Sequence, residues 1–292
     1  MLLWGKYFMI RDIRTRFIAA KVNINRNIFS SNKESLISMI PDAIKPSQEY
    51  KKGTWTWKFA DVNSFIDHKT DYIFANLVKS RYQGIDVLDG DKTTRYEIPK
   101  PVANKAKFLY DAKHEILIFE ETADIRRDDF LQVFEQLIYA GNIEIGQIIV
   151  KLIPIKEEIY REIMSMEFIT KVEFEFIPPN FIEKKTFKKV SEIIQDENAT
   201  RMKVSLENRD GLNKSGDLIN QGIEMVSNAY GDVKAYGFDY LPSRSKRGRG
   251  KKKPRNFNSK NSIHMKKIKT DDEKTLIEKL KEFASEMVSI IW

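Results

Sequence analysis

From about residue 146 to residue 241 the chain alternates strand-like and helix-like runs, and this alternation limits the fold more than any other feature. IGQIIVKLIP, ITKVEFEFIPP, ATRMKVSLEN and DVKAYGFDYLP read as strands, separated by KEEIYREIMS, FIEKKTFKKVSEIIQD and SGDLINQGIEMVSNAY as helices. In a strand, successive side chains point to opposite sides. Val172, Phe174 and Phe176 therefore share one face, and Lys171, Glu173 and Glu175 share the other. A sheet with one dry and one wet face takes its helices on the dry side, which predicts an α+β fold with a mixed or antiparallel sheet and helices mainly on one face. Strand order does not follow from the pattern.

The remaining segments divide the chain further. A β-rich N-terminal part is expected over 1–105, the α+β domain over 106–242, a basic flexible arm over 243–269 and an amphipathic helix over 270–292. In the first part, Trp4, Tyr7, Met9, Val22, Ile24 and Ile28 alternate as in one or two strands, and GTWTWKF (53–59) and DYIFANLVKSR (71–81) read as two more. Trp55 and Trp57 share a strand face, with the core as their expected place. A short helix over 32–39 is expected to start at Ser31 or Asn32 and to stop before Pro41. Residues 85–105, with Asp89-Gly90 and two prolines, mark the expected join. Residues 107–121 predict a hairpin turning near Asp111–His114, and 124–139 a helix capped by Asp124, with Gly141 just past its end. At the C-terminus Leu276, Leu280, Phe283, Met287 and Ile290 form a stripe at three- and four-residue spacing, with Asp271 and Asp272 at the positive helix end. The stripe is expected on this chain's own core, with a helix–helix dimer contact as the alternative.

Charge is concentrated in one place. The chain holds 50 basic and 42 acidic residues, a formal +8. Twelve of those cations fall between Arg244 and Lys269 with no acid among them, so the other residues sum to +8 − 12 = −4. They are Arg244, Lys246, Arg247, Arg249, Lys251, Lys252, Lys253, Arg255, Lys260, Lys266, Lys267 and Lys269. Pro242, Gly248, Gly250 and Pro254 predict an exposed loop, from which SIHMKKIK (262–269) can re-enter as an edge strand. Such a segment concentrates phosphate and releases counterions on binding, so all twelve are candidate nucleic-acid contacts. KRGRGKKKPR (246–255) is similar to the Gly-Arg core of minor-groove hooks, but Lys251 stands where Arg or Pro usually follows, which favours generic phosphate contact over A·T preference. Phe257 is the arm's one aromatic, which gives base stacking little support. Double-stranded DNA is the expected partner, with RNA left open by the same charge. The alternatives are an acidic protein or an anionic membrane surface.

Catalytic signatures are missing. There is no cysteine, which excludes disulfides and thiolate chemistry. His68, His114 and His264 are far apart, and no phosphate loop, dinucleotide fingerprint or nucleophile elbow occurs. Pro41-Asp42 with Glu49-Tyr50-Lys51 is the nearest approach to a metal-dependent nuclease pattern, whose carboxylates hold Mg²⁺ at the scissile phosphate. The gap is short and the pieces flank Pro46, so a Mg²⁺-dependent nuclease stands as the alternative, and a protein without catalysis, metal or cofactor is expected. No secretory signal or bilayer-length apolar run is apparent in the sequence, which points to the cytoplasm.

FLYDAKHEILIFEE (108–121), FEQLI (134–138), VKLIPIKEEIYREI (150–163), FIPPN (176–180), KVSLENRDGL (203–212) and DVKAYGFD (232–239), taken in order, resemble a bacterial and phage family of uncharacterised predicted phage-defence proteins, distant relatives of the lambda Rex A exclusion protein. The resemblance covers roughly 105–240 and rests on element order. It implies a cytoplasmic, dimeric, sequence-tolerant DNA-binding protein acting in phage exclusion. A membrane-channel partner is implied by the resemblance alone. The chain departs from the family pattern at the basic arm, which matches nothing there residue for residue.

Overall fold

A computed structural model describes residues 15–24, 33–44, 48–180, 185–241 and 251–291. Trp4, Tyr7, Met9, Ile28, the cap at Ser31 or Asn32, Pro242 and the arm through Gly250 lie outside those residues. β1 (Thr15–Ile24) is buried almost throughout, because helices cover both of its faces. Ile18, Ala20, Val22 and Ile24 face α1 (Lys33–Ile44) and the later helix α2, while Phe17 and Ala19 point the other way. α1 runs past the expected stop and takes in Pro41. Proline removes one helical hydrogen bond, but Ile40, Ala43 and Ile44 are buried around it, and that packing outweighs the local cost.

β2 (Tyr50–Lys52), β3 (Trp55–Asp67) and β4 (Thr70–Arg81) follow as a meander. The β3–β4 turn is His68-Lys69, both at positive φ, the twist that a two-residue hairpin loop needs. Trp57 is buried as expected. Trp55 is half-buried, with the Arg81 guanidinium 4.3 Å from its ring. β5 (Gly84–Asp89) and β6 (Lys92–Glu97) form a separate ribbon turning at Gly90, whose φ of +60° suits glycine. The chain then returns as β7 (Val102–Asp111), paired with β4 from Arg81↔Val102 to Tyr72↔Asp111. The join expected at 105/106 therefore falls inside a strand. β8 (Ile116–Glu121) completes the expected hairpin.

α2 (Arg127–Gly141) starts three residues later than the sequence suggests, because Thr122 Oγ1 accepts from the Ile125 amide and the Asp124 carbonyl is taken by Lys79. Gly141 belongs to the helix. A Cβ there would lie 2.6 Å from the Ala43 carbonyl, so glycine lets α2 touch α1. Phe130 stacks on Phe119 at 4.4 Å, and Phe134 meets Phe108 edge-on at 5.6 Å, which locks α2 to the sheet. β9 (Ile148–Leu152) pairs with the second half of β1.

The chain next builds a four-stranded antiparallel sheet. α3 (Lys156–Met164) leads to β10 (Phe168–Phe176), then α4 (Lys188–Asp196), β11 (Met202–Glu207), α5 (Asp217–Ser227), β12 (Gly231–Tyr240) and β13 (Lys252–Asn258), with strand order β11-β10-β12-β13. Val172, Phe174 and Phe176 pack beneath the helices as the alternation predicts, and the opposite face stays open. β13 corrects the flexible-arm expectation. Lys252–Asn258 is an ordered edge strand, because Phe257 opposite Ala235 adds a side chain to the core and Pro254 is tolerated at a sheet edge.

A 3-10 turn (Ser259–Asn261) then carries the segment across to the first sheet. There β14 (Met265–Ile268) pairs with the first half of β1, the edge position anticipated for SIHMKKIK. The eight-stranded sheet runs β14-β1-β8-β7-β4-β3-β2, with β9 beside β14 on the same side of β1. α6 (Glu273–Ile291) is capped by Asp272, whose carboxylate accepts from the Thr275 amide at 2.7 Å. Leu276, Leu280, Phe283 and Met287 cover the second face of that sheet, whereas Ile290 is exposed and Ile291 takes the buried place.

A polar junction joins the sheets. Lys21 is fully buried on β1, its ammonium 2.7 Å from the Tyr230 hydroxyl and 4.0 Å from Glu115. Asn180 donates to Glu115 at 2.6 Å and to the Val22 carbonyl, and accepts from the Ile24 amide. Tyr230 is aimed by the end of α5, where Tyr230 N–H bonds Met225 O and Ala229 N–H bonds Val226 O with Ala229 at φ +59°. Truncating one partner of a buried ion pair costs about 3–5 kcal/mol. Glu115→Ala should lose stability of that order in urea unfolding, and Lys21→Met with Glu115→Gln should lose less than the two single changes added together.

Glu135 gives a second expected outcome. It accepts from the Val150 amide at 2.7 Å, and burial pushes its carboxyl up to about 7 against that bond. A carboxyl raised in the folded state holds its proton longer than in the unfolded chain, so stability falls as pH rises through the window from about 4.5 to about 7. Glu135→Gln should remove that fall, so thermal melts of the two proteins should draw apart between about pH 4.5 and about 7 and stay apart above it, with the variant the more stable.

Candidate nucleic-acid interface

The twelve predicted contact residues have several different fates. Arg244, Lys246, Arg247 and Arg249 lie outside the described residues. Lys251, Lys252 and Lys253 are exposed along the start of β13. Arg255 is turned inward to Asp239 at 3.3 Å and Glu162 at 3.2 Å, and it also donates to Ser165. Asp239 in turn is held below the usual carboxylate range, first by the Glu167 amide that donates to it. Lys260 sits 3.8 Å from Asp232, and Lys266 bonds Glu286 at 2.6 Å. Lys267 and Lys269 flank Ile268 at the far edge, on the other sheet.

The segment therefore does two jobs. Phe257 and Ile263 are buried, so Phe257 is no stacking residue. Arg255 is a structural cation that staples β13 to β12 and the end of α3. Among the described residues Lys251 and Lys253 make no ion pair within 4.0 Å, and the Lys252 ammonium lies 4.1 Å from the Phe238 ring centre. These three continue the Arg244–Arg249 run without an intervening acid.

The open face beside them carries side chains that charge counting passes over. β12 places Asp232, Lys234, Tyr236, Phe238 and Tyr240 on that side. Phe168 stacks on Phe238 at 5.1 Å, and Tyr240 meets both rings edge-on at 5.7 and 5.3 Å. Tyr236 is 37% exposed. The row Tyr236-x-Phe238-x-Tyr240 was available in the sequence as aromatics at spacing two.

Most acids on this face are matched within it. Lys171 bonds Glu173 at 2.6 Å, which raises the lysine's pKa and lowers the glutamate's, and Glu175 meets Arg201 at 3.1 Å. At the end nearest the first sheet, Lys151 pairs with Asp232 at 2.5 Å. A crevice of about 410 Å³ lies over Ser205, Lys203, Lys234 and Asn258.

Chemistry elsewhere is sparse. Among the described residues no group of three or more His, Asp or Glu could hold a metal ion. Asp42 lies in α1 and Glu49 pairs with Lys58 at 3.8 Å, so the nuclease-like pieces do not occupy two paired strands. No described helix is long and apolar enough to cross a membrane. A protein family described as a domain of unknown function, DUF4747, matches residues 15–285. No curated protein matches the chain.

Arg255 and Lys253 provide a contrast on one strand. Arg255→Gln should lower stability by about 1–3 kcal/mol, because Glu162 and Asp239 lose a charge-assisted partner. Lys253→Gln should leave the melting temperature unchanged. Differential scanning calorimetry of the two variants checks both outcomes.

Proposed function

We propose, for a chain that belongs to the DUF4747 family, sequence-tolerant nucleic-acid binding without catalysis, with double-stranded DNA as the partner its charge suits. The carrying observation is the exposed run Lys251-Lys252-Lys253, set at a sheet edge and continuous with four further cations between Arg244 and Arg249. The residues outside Arg244–Lys269 sum to −4, so attraction to a polyanion is directed to this segment and not spread over the surface. The resemblance to the phage-exclusion family supports a cytoplasmic antiviral role as a homodimer, with abortive infection as its setting. A membrane-protein partner rests on that resemblance only.

Arg255, Lys260 and Lys266 are engaged with acids of this chain, and Lys267 and Lys269 lie at the edge of the other sheet, which leaves the seven cations from Arg244 to Lys253 as the contact set. About seven phosphate contacts at roughly −0.9 each give a slope near −6 in log K against log salt. Fluorescence anisotropy with a duplex of arbitrary sequence, run over a salt series, measures it. Reversing Arg247, Arg249, Lys251, Lys252 and Lys253 to Glu together should abolish binding while the melting temperature holds. Retained binding by that variant would overturn the reading.

A further inference from the structure

We infer that the open face of the four-stranded sheet is a stacking platform for unpaired bases, so that the polymer held most tightly is single-stranded nucleic acid. This rests on the nucleic-acid reading above and puts an unpaired strand in place of the duplex that charge alone would suit. A sheet face is a binding surface for bases when it offers exposed rings, cations along the backbone path and no net opposing charge. All three conditions meet beside β13. The platform consists of Tyr236 and Tyr240, supported from the side by the stacked pair Phe168 and Phe238. Phe238 itself is closed over by Lys252, so it stiffens the platform without being its contact surface.

The cations lie where a strand's phosphates would run. Lys252 pairs across from Tyr240 at one end of the rings. Lys234, exposed and two residues from Tyr236 on the same face, stands at the other. Asn256 lies directly across from Tyr236 and is exposed, offering amide donor and acceptor groups at the edge of a stacked base. Glu173 and Glu175, acids of the same face, are matched by Lys171, Arg201 and Lys203, so they do not repel a polyanion as bare carboxylates would, and the Glu167 carboxylate is taken up by the Tyr240 amide. A duplex keeps its base faces inside its own stack and cannot use the rings. An unpaired strand can.

The test uses the intact protein and three probes: an oligothymidine strand of about 12 nucleotides, an abasic strand of the same length and a duplex, with about 12 nucleotides spanning one platform of this size. Tyr236 is at the surface, so Tyr236→Ala should fold, and Tyr236→Phe keeps the ring. Tyr236→Ala should weaken oligothymidine binding about tenfold, the effect of losing one stacked base, and should leave the abasic strand and the duplex unaffected. Tyr236→Phe should bind oligothymidine as the unaltered protein does. Equal affinity of Tyr236→Ala and unaltered protein for oligothymidine would overturn the platform, as would an equal loss on the abasic strand. If the abasic strand and duplex still bind in that case, the electrostatic reading survives. If none of the three probes binds the unaltered protein, both fall.

Discussion

An ammonium group with no access to water sets the relation between the two sheets. Removing Lys21 from solvent is costly, and the cost is tolerable only while Glu115, Tyr230 and their supporting amides stay in place. Those partners come from three separate parts of the chain: the β7–β8 turn, the segment after β10 and the turn after α5. None of them can shift alone without leaving a charge or a hydrogen bond poorly satisfied. Apolar contacts would tolerate sliding, since they are non-directional. The junction does not, and this is how β1 comes to fix the angle at which the open face meets the first sheet. The Lys151–Asp232 pair does the same at the next strand along.

That fixed angle gives the basic segment its meaning. A free tether of twelve cations would attract phosphate from any direction. Here the segment from Lys251 onward is pinned at both ends, by β12 on one side and β1 on the other. Cations with an acid beside them, Arg255, Lys260 and Lys266, are used as staples, and the run Lys251–Lys253 keeps its charge for a partner. Electrostatics then hands the partner to a face with rings on it, so that affinity and selectivity arise from different residues of one surface.

How legible this was depended on how local the cause was. The strand alternation of 169–240 and the C-terminal stripe could be read because their periodicity is written within each element, and Phe174 and Leu280 sit where their spacing puts them. Three features could not be read. Pro41 inside α1 is tolerated by burial of neighbours that meet it only in the folded chain. The fate of Arg255 depended on Asp239 and Glu162, the latter 93 residues away. The division at 105 failed because a turn-rich segment can interrupt a sheet as well as end one, and the β5–β6 ribbon does the former. In the candidate site, the charges were visible one by one. Their sorting into acid-paired and exposed sets required the packing of β13 against β12 and the end of α3.

β1 shares one of its edges between β9 and β14, strands that lie more than a hundred residues apart in the chain. During synthesis the first of the described strands to leave the ribosome is therefore among the last of them to be completed. Its second half can be paired once β9 has emerged, but its first half keeps bare amides and carbonyls until residue 268 is out, and its apolar flank waits longer still for α6. The newborn chain carries an unfinished seam from β1 until β14 is made, and the segment that closes the seam is the same one that presents the positive charge.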